Sequence, residues 1–163
     1  MRTPEITVNM GEIKCSNKPA VFHCVGIGSC VVLCMYELNT TIGGVAHIML
    51  PNYGEAGPSA ENRALYADTS PRILLHKLIA RGANPSMIKA KLIGGANLFD
   101  FAGSPEMAEL GKENVERVKK TLSKHRVYLA AEALGGRAYK SAQFTLETGQ
   151  VKIKAEADKE IVI

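Results

Sequence analysis

Val31-Val32-Leu33-Cys34-Met35-Tyr36, Leu38-Asn39-Thr40-Thr41 and Gly44-Val45-Ala46-His47-Ile48-Met49-Leu50 follow one another in the first third of the chain. An apolar β-branched run, a turn-forming run and a second apolar run make the pattern of a β-hairpin. With a loop of about four residues, Glu37 to Thr40, a common hairpin length, Tyr36 lies opposite Thr41 and Cys30 opposite His47. Directly opposed residues share a face, with Cβ atoms about 4.5–5.5 Å apart. A loop of roughly five residues would put the two side chains on opposite faces, and one of roughly six would make them diagonal neighbours on one face. Just upstream, Val21-Phe22-His23-Cys24-Val25 runs into the turn Gly26-Ile27-Gly28-Ser29, and Cys30 follows directly. A thiol behind a Gly-x-Gly-Ser turn, with a histidine on the returning strand, is how a cysteine nucleophile and its base look in sequence.

Working outward, Ile6-Thr7-Val8 and Glu12 to Cys15 read as short strands, and the turn cluster Ser16-Asn17-Lys18-Pro19 introduces the strand Ala20 to Val25. Ser70-Pro71 opens a helix, with proline at the first helical position and serine as cap. Ile73, Leu74, Leu78 and Ile79 mark its buried stripe, His76 lies off that stripe, and Arg81-Gly82 ends it. Met87 to Ile93 is a buried strand. A second helix runs from Lys112 to Lys124 with Val115, Val118 and Leu122 at helical spacing. Arg126 to Ala133 is a strand, and Lys140 to Leu146 forms a hairpin with Val151-Lys152-Ile153. Many strands with two helices inserted predict an α+β layered sandwich, a mainly antiparallel β-sheet with two or three helices packed outside.

The chain has 163 residues, 46% of them apolar and 22% charged, the balance of a folded domain, and residues 1–163 are expected to form a single one. No apolar run approaches the ~20 residues of a membrane span, and Met1-Arg2-Thr3-Pro4-Glu5 lacks a signal peptide's apolar core, which predicts a cytoplasmic protein without membrane insertion. The net charge of +4 is dispersed: acidic residues interrupt the Lys112–Lys124 helix, and no basic stripe interleaved with aromatics argues for nucleic acid. The four cysteines, Cys15, Cys24, Cys30 and Cys34, have no distant partners for a disulfide framework and match no zinc-knuckle spacing. No metal site is expected.

An ordinary thiol titrates near 8.5, and an adjacent imidazolium or converging backbone N–H groups lower that value. Gly28 and Ser29 would supply such N–H groups, which can also hold the oxyanion of a tetrahedral intermediate. His47 would keep the thiolate charged and hand a proton to the leaving group. The competing reading makes Cys30, Val32 and Cys34 small buried hydrophobes and His47 a satisfied core histidine.

Cys24-Val25-Gly26-Ile27-Gly28-Ser29-Cys30-Val31-Val32 followed by Gly44-Val45-Ala46-His47-Ile48-Met49-Leu50-Pro51 resembles the CheD family of chemoreceptor glutamine deamidases. The resemblance continues through Tyr66-Ala67-Asp68, Gly94-Gly95-Ala96-Asn97-Leu98-Phe99, Gly111 with Asn114-Val115, Gly135-Gly136 and Glu147-Thr148-Gly149. It implies hydrolysis of glutamine side-chain amides on chemoreceptors (methyl-accepting chemotaxis proteins), through a thioester and without a cofactor. It carries the nucleophile onto Cys30 and the base onto His47. Cys24 stands in the position of the family's catalytic threonine, so orientation of the imidazole falls to a weaker thiol or to a backbone carbonyl. Lys140 stands where the family commonly has arginine, and the two are not equivalent if that residue forks onto a carboxylate. The resemblance also implies a CheC-like regulatory partner. The 52–59 loop and the Ala96–Phe101 segment, with Asn97 and Phe99, are the candidates for protein contact. A thiol-dependent receptor methylesterase and a non-catalytic binding module are the alternative readings.

Overall fold

The structure is a computed structural model that describes residues 2–56, 62–98, 105–155 and 159–163, with the side chains of 105–108 left aside. Its strands are β1 (Glu5–Thr7), β2 (Ile13–Ser16), β3 (Val21–Ile27), β4 (Val31–Glu37), β5 (Ile42–Ile48), β6 (Lys89–Gly94), β7 (Tyr128–Leu134), β8 (Lys140–Thr145), β9 (Gln150–Lys154) and β10 (Glu160–Val162). Its helices are α1 (Ser70–Ala80) and α2 (Pro105–Lys124). The strands form two five-stranded sheets, an outer one of order β1-β3-β8-β9-β10 and a central one of order β2-β5-β4-β6-β7. Pairing is antiparallel except at β1–β3 and at β6–β7, which α2 joins.

The central sheet is covered on both faces, which is why β4 and β5 read as unbroken apolar runs: every residue of both is buried. Val31, Leu33 and Met35 of β4 pack toward the helices, with Leu74, Leu78, Val118 and Leu122. Val32, Cys34 and Tyr36 face the outer sheet and meet Phe22, Cys24, Phe144 and Ile153. Each fully buried side chain of this kind contributes about 1.5–3 kcal/mol. The outer sheet has one free face, and β9 accordingly alternates buried with exposed residues.

The α+β sandwich with helices on the outside is what the sequence predicted. Several details differ. In α1 the buried stripe runs through Leu74, Leu75 and Leu78, below the buried Ser70 and Pro71 of its first turn, while Ile79 is exposed, because the helix meets the sheet one position round from the predicted stripe. Ser70 lies inside the helix and caps nothing; Thr69 precedes it without a capping hydrogen bond. Helix α2 begins at Pro105, well before Lys112, and β10 is an added edge strand, three residues long and too short to read.

Candidate active site

Two devices set up the turn before Cys30. Between Cys24 and Ile27 the pairing of β3 with β8 slips by one residue, a bulge in which Gly26 takes φ +64°. The extra residue lets both Cys24 and Ile27 point inward at odd spacing, then aims the chain into Gly28-Ser29. Gly28 leaves no room for a side chain: a Cβ there would lie 2.5 Å from Leu98 and 3.0 Å from Tyr139. The turn is also tied down by its carbonyls, with Ala96 N–H donating to Gly28 O and Gly95 N–H to Cys30 O, each at 2.8 Å.

The hairpin register differs from the predicted one. Its loop has four residues but occupies Leu38 to Thr41, so that Val32, not Cys30, lies opposite His47. The shift has a cause in Glu37, which is buried in β4 and accepts hydrogen bonds from Thr40 Oγ1 at 2.8 Å and Asn84 N at 3.0 Å. Thr41 closes the turn at φ +54°. Cys30 lies two residues before Val32 and just outside the ladder, whose last pair is Val31 with Ile48, so its main chain sits at the end of the hairpin within two residues of the position opposite His47.

His47 is 1% exposed. Its Nδ1 lies 3.3 Å from the carbonyl of Val8, in the segment between β1 and β2. A carbonyl only accepts, so Nδ1 carries the proton and Nε2 keeps a lone pair. Among the described residues Nε2 has no hydrogen-bond partner. Burial holds the imidazole below its ordinary pKa, against the opposing pull of the Val8 hydrogen bond.

Cys30 is 8% exposed. Burial pushes its thiol up, and its own backbone N–H pulls it part of the way back. Burial thus disfavours the charged form of both groups, which opposes a resting thiolate–imidazolium pair. Cys24 points into the same inter-sheet core, where burial raises its thiol to about 12, and no hydrogen bond joins it to His47. Orientation of the imidazole falls to the Val8 carbonyl. The four cysteines are all free thiols. Among the described residues no three His, Cys, Asp or Glu side chains converge as a metal site.

No backbone acceptor among the described residues takes the N–H groups of Gly28 or Ser29, so both remain available as donors. On the helix side, a Cβ on Gly111 of α2 would come within 2.6 Å of Ala96 O, so α2 packs directly against the Gly94–Ala96 segment. That approach carries Asn114 to the site, where its Nδ2 donates to Ser29 O at 3.0 Å and Met49 O at 2.9 Å. Sequence reasoning missed this role and that of Val8. Asn114 had a visible signal, a poor helix former on the buried stripe four residues before Val118; a backbone carbonyl such as that of Val8 leaves none.

Asn97 N–H donates to Gly136 O at 2.9 Å, which places Asn97 beside the glycine turn at the rim of the site. Lys140 Nζ donates to Gly135 O at 3.2 Å, a carbonyl where a forked carboxylate contact was considered. Phe99 and Phe101 lie outside the described residues, as does the end of the 52–59 loop. The loop's first part is anchored by Tyr53 N–H donating to Asp68 Oδ1 at 2.8 Å.

Residues 49–155 match the model of a family described as CheD chemotactic sensory transduction. The chain belongs to the CheD family. The CheD match begins two residues after His47, and near full-length relatives carry the likeness across Cys30 and His47. The chain is 37% identical over 158 residues to the chemoreceptor glutamine deamidase CheD of Halalkalibacterium halodurans, covering 96% of this chain and 98% of that protein. It is 34% identical over 147 residues to the chemoreceptor glutamine deamidase CheD of Thermotoga maritima, covering 90% and 89%. It is 32% identical over 154 residues to the probable chemoreceptor glutamine deamidase CheD of the archaeon Haloarcula marismortui, covering 94% and 87%. No helix among the described residues is long and apolar enough to cross a membrane.

Proposed function

We propose that this CheD protein hydrolyses the side-chain amide of specific glutamines on chemoreceptors to glutamate and ammonia, with Cys30 as nucleophile and His47 as base. The observation that supports the reading is the buried Nε2 lone pair of His47, without a partner among the described residues, on the strand that returns past the end of the Cys30 turn. A satisfied core histidine would have both nitrogens engaged.

From a neutral pair, the Cys30 proton moves to Nε2 as sulfur attacks the glutamine carbonyl carbon. Contacts of this kind tighten when substrate is bound. The developing oxyanion accepts from the N–H groups of the Gly28–Cys30 turn, of which those of Gly28 and Ser29 have no backbone acceptor among the described residues. The imidazolium then gives its proton to the departing nitrogen, which leaves as ammonia, and a thioester remains. Water loses a proton to Nε2 and attacks the thioester; the products are glutamate and the regenerated thiol. Cys24, high in pKa and away from any bond to His47, serves packing in this scheme.

The test is ammonia release from a purified receptor cytoplasmic fragment, with wild type, Cys30→Ala and His47→Gln compared. Equal release by Cys30→Ala and wild type would remove Cys30 as nucleophile. Methyl esters of the same receptor separate amidase from esterase.

A further inference from the structure

We infer that Asn114 is a positioning residue that sets the spacing between nucleophile and base, an inference that rests on the proposed Cys30–His47 chemistry. The side chain is fully buried, and its one NH2 group spends its two protons on two carbonyls from different elements. Ser29 immediately precedes Cys30. Met49 lies two residues after His47, one step past the last ladder pair, Val31 with Ile48. The hydrogen-bonded ladder thus stops just short of Cys30, and the Asn114 amide takes over the job of holding the turn against the returning strand.

The orientation of the amide is fixed by chemistry: both partners are acceptors, so nitrogen must face them. Its Oδ1 is then buried with no partner among the described residues. An unpaired buried acceptor is costly, a cost that the two hydrogen bonds to Ser29 O and Met49 O must offset. What only an amide of this length supplies is two divergent donors between the two carbonyls. Aspartate would set a carboxylate against them, and leucine would leave both unpaired.

Thr121 provides an internal control. It lies on the same helix, is buried, and donates to the carbonyls of Ala67 at 3.0 Å and Arg117 at 2.8 Å, away from Cys30. Asn114→Ala, Asn114→Ser and Thr121→Val are compared with wild type in receptor deamidation, at a temperature where each is folded by circular dichroism. The expected result is a fall in kcat of about 30- to 100-fold for both Asn114 variants, the scale of an ångström-sized misplacement, with KM within about twofold. Thr121→Val should keep kcat within about twofold whatever its stability. Asn114 variants that lose stability but keep kcat would overturn the inference, as would equal kcat losses in Thr121→Val. A measurement on wild type alone covers variants that fail to fold. Both side-chain amide protons of Asn114 should exchange with solvent at least about a hundredfold more slowly than those of the exposed Asn39, and free exchange would also overturn the clamp. Cys30→Ala runs in parallel: full activity there defeats the dyad itself and is distinct from either Asn114 outcome.

Discussion

Replacing Gly94 by alanine tests the construction of the site at its tightest point. Gly94 pairs with Val31 at φ +111°, and an added Cβ would lie 2.2 Å from the carbonyl oxygen of Cys30 and 2.8 Å from Ile27 Cγ2. An acceptable C···O contact begins at about 3.3 Å, so the two backbones must part by about 1 Å. A strained φ costs about 1–3 kcal/mol, and overpacking a filled core adds about 1–3 kcal/mol. A total of about 3 kcal/mol lowers Tm by about 6–12 °C in a chain of this size. The displaced group is the main chain of Cys30 itself, so kcat should fall about 100-fold in molecules that remain folded. Thermal melts and receptor deamidation measure the two effects separately. Gly54→Ala, where nothing lies within 4 Å of the new Cβ, should leave Tm unchanged. A Gly94→Ala protein with wild-type Tm and wild-type kcat would refute the close approach of β6 to Cys30.

Stability should fall on both sides of neutrality. Below the ordinary imidazole value of 6.5 the unfolded chain takes up a proton that buried His47 resists, so stability declines as pH drops from there toward the lower folded value. On the alkaline side the unfolded Cys24 thiol ionises from about 9 while the folded one holds its proton to about 12. That difference removes up to about 4 kcal/mol across the interval. Denaturant titrations at pH 8 and 10 under reducing conditions should show the alkaline loss, which the buried Cys34 thiol shares, and Cys24→Val should lessen it without abolishing it; an unchanged slope would show that Cys24 takes no part. The same Cys24→Val protein should deamidate receptor glutamine within about threefold of wild type, whereas a loss beyond about 30-fold would give Cys24 a direct catalytic part. The acid limb of kcat/KM should fall below 6.5, since His47 is needed neutral and burial lowers its pKa.

The layers and the hairpin were legible because they rest on side-chain patterning. Unbroken apolar runs in β4 and β5 required cover on both faces, and Cys30 stayed within two residues of the position opposite His47 because the register error was small. The register itself was not legible. It depended on Glu37 being held in the strand by Thr40 and Asn84, and Asn84 lies 47 residues away in sequence. The pull of burial on the two pKa values was not legible for a similar reason: a thiol and an imidazole in one pattern suggest an ion pair, but the degree of burial depends on the whole fold. The start of α2 was missed although Ser104-Pro105 repeats the Ser70-Pro71 signal, because the apolar stripe fades toward that end.

The oxygen that fixes the imidazole belongs to the main chain of residue 8, so its service does not depend on which side chain residue 8 carries. Alanine scanning of position 8 would report packing alone and overlook it. Only changes in the path of the polypeptide between β1 and β2 could release the ring to rotate. Where a peptide group does the aiming, the position six residues before the nucleophile is relieved of that duty. A sulfur atom can stand there in place of a hydroxyl without disturbing which ring nitrogen meets the substrate.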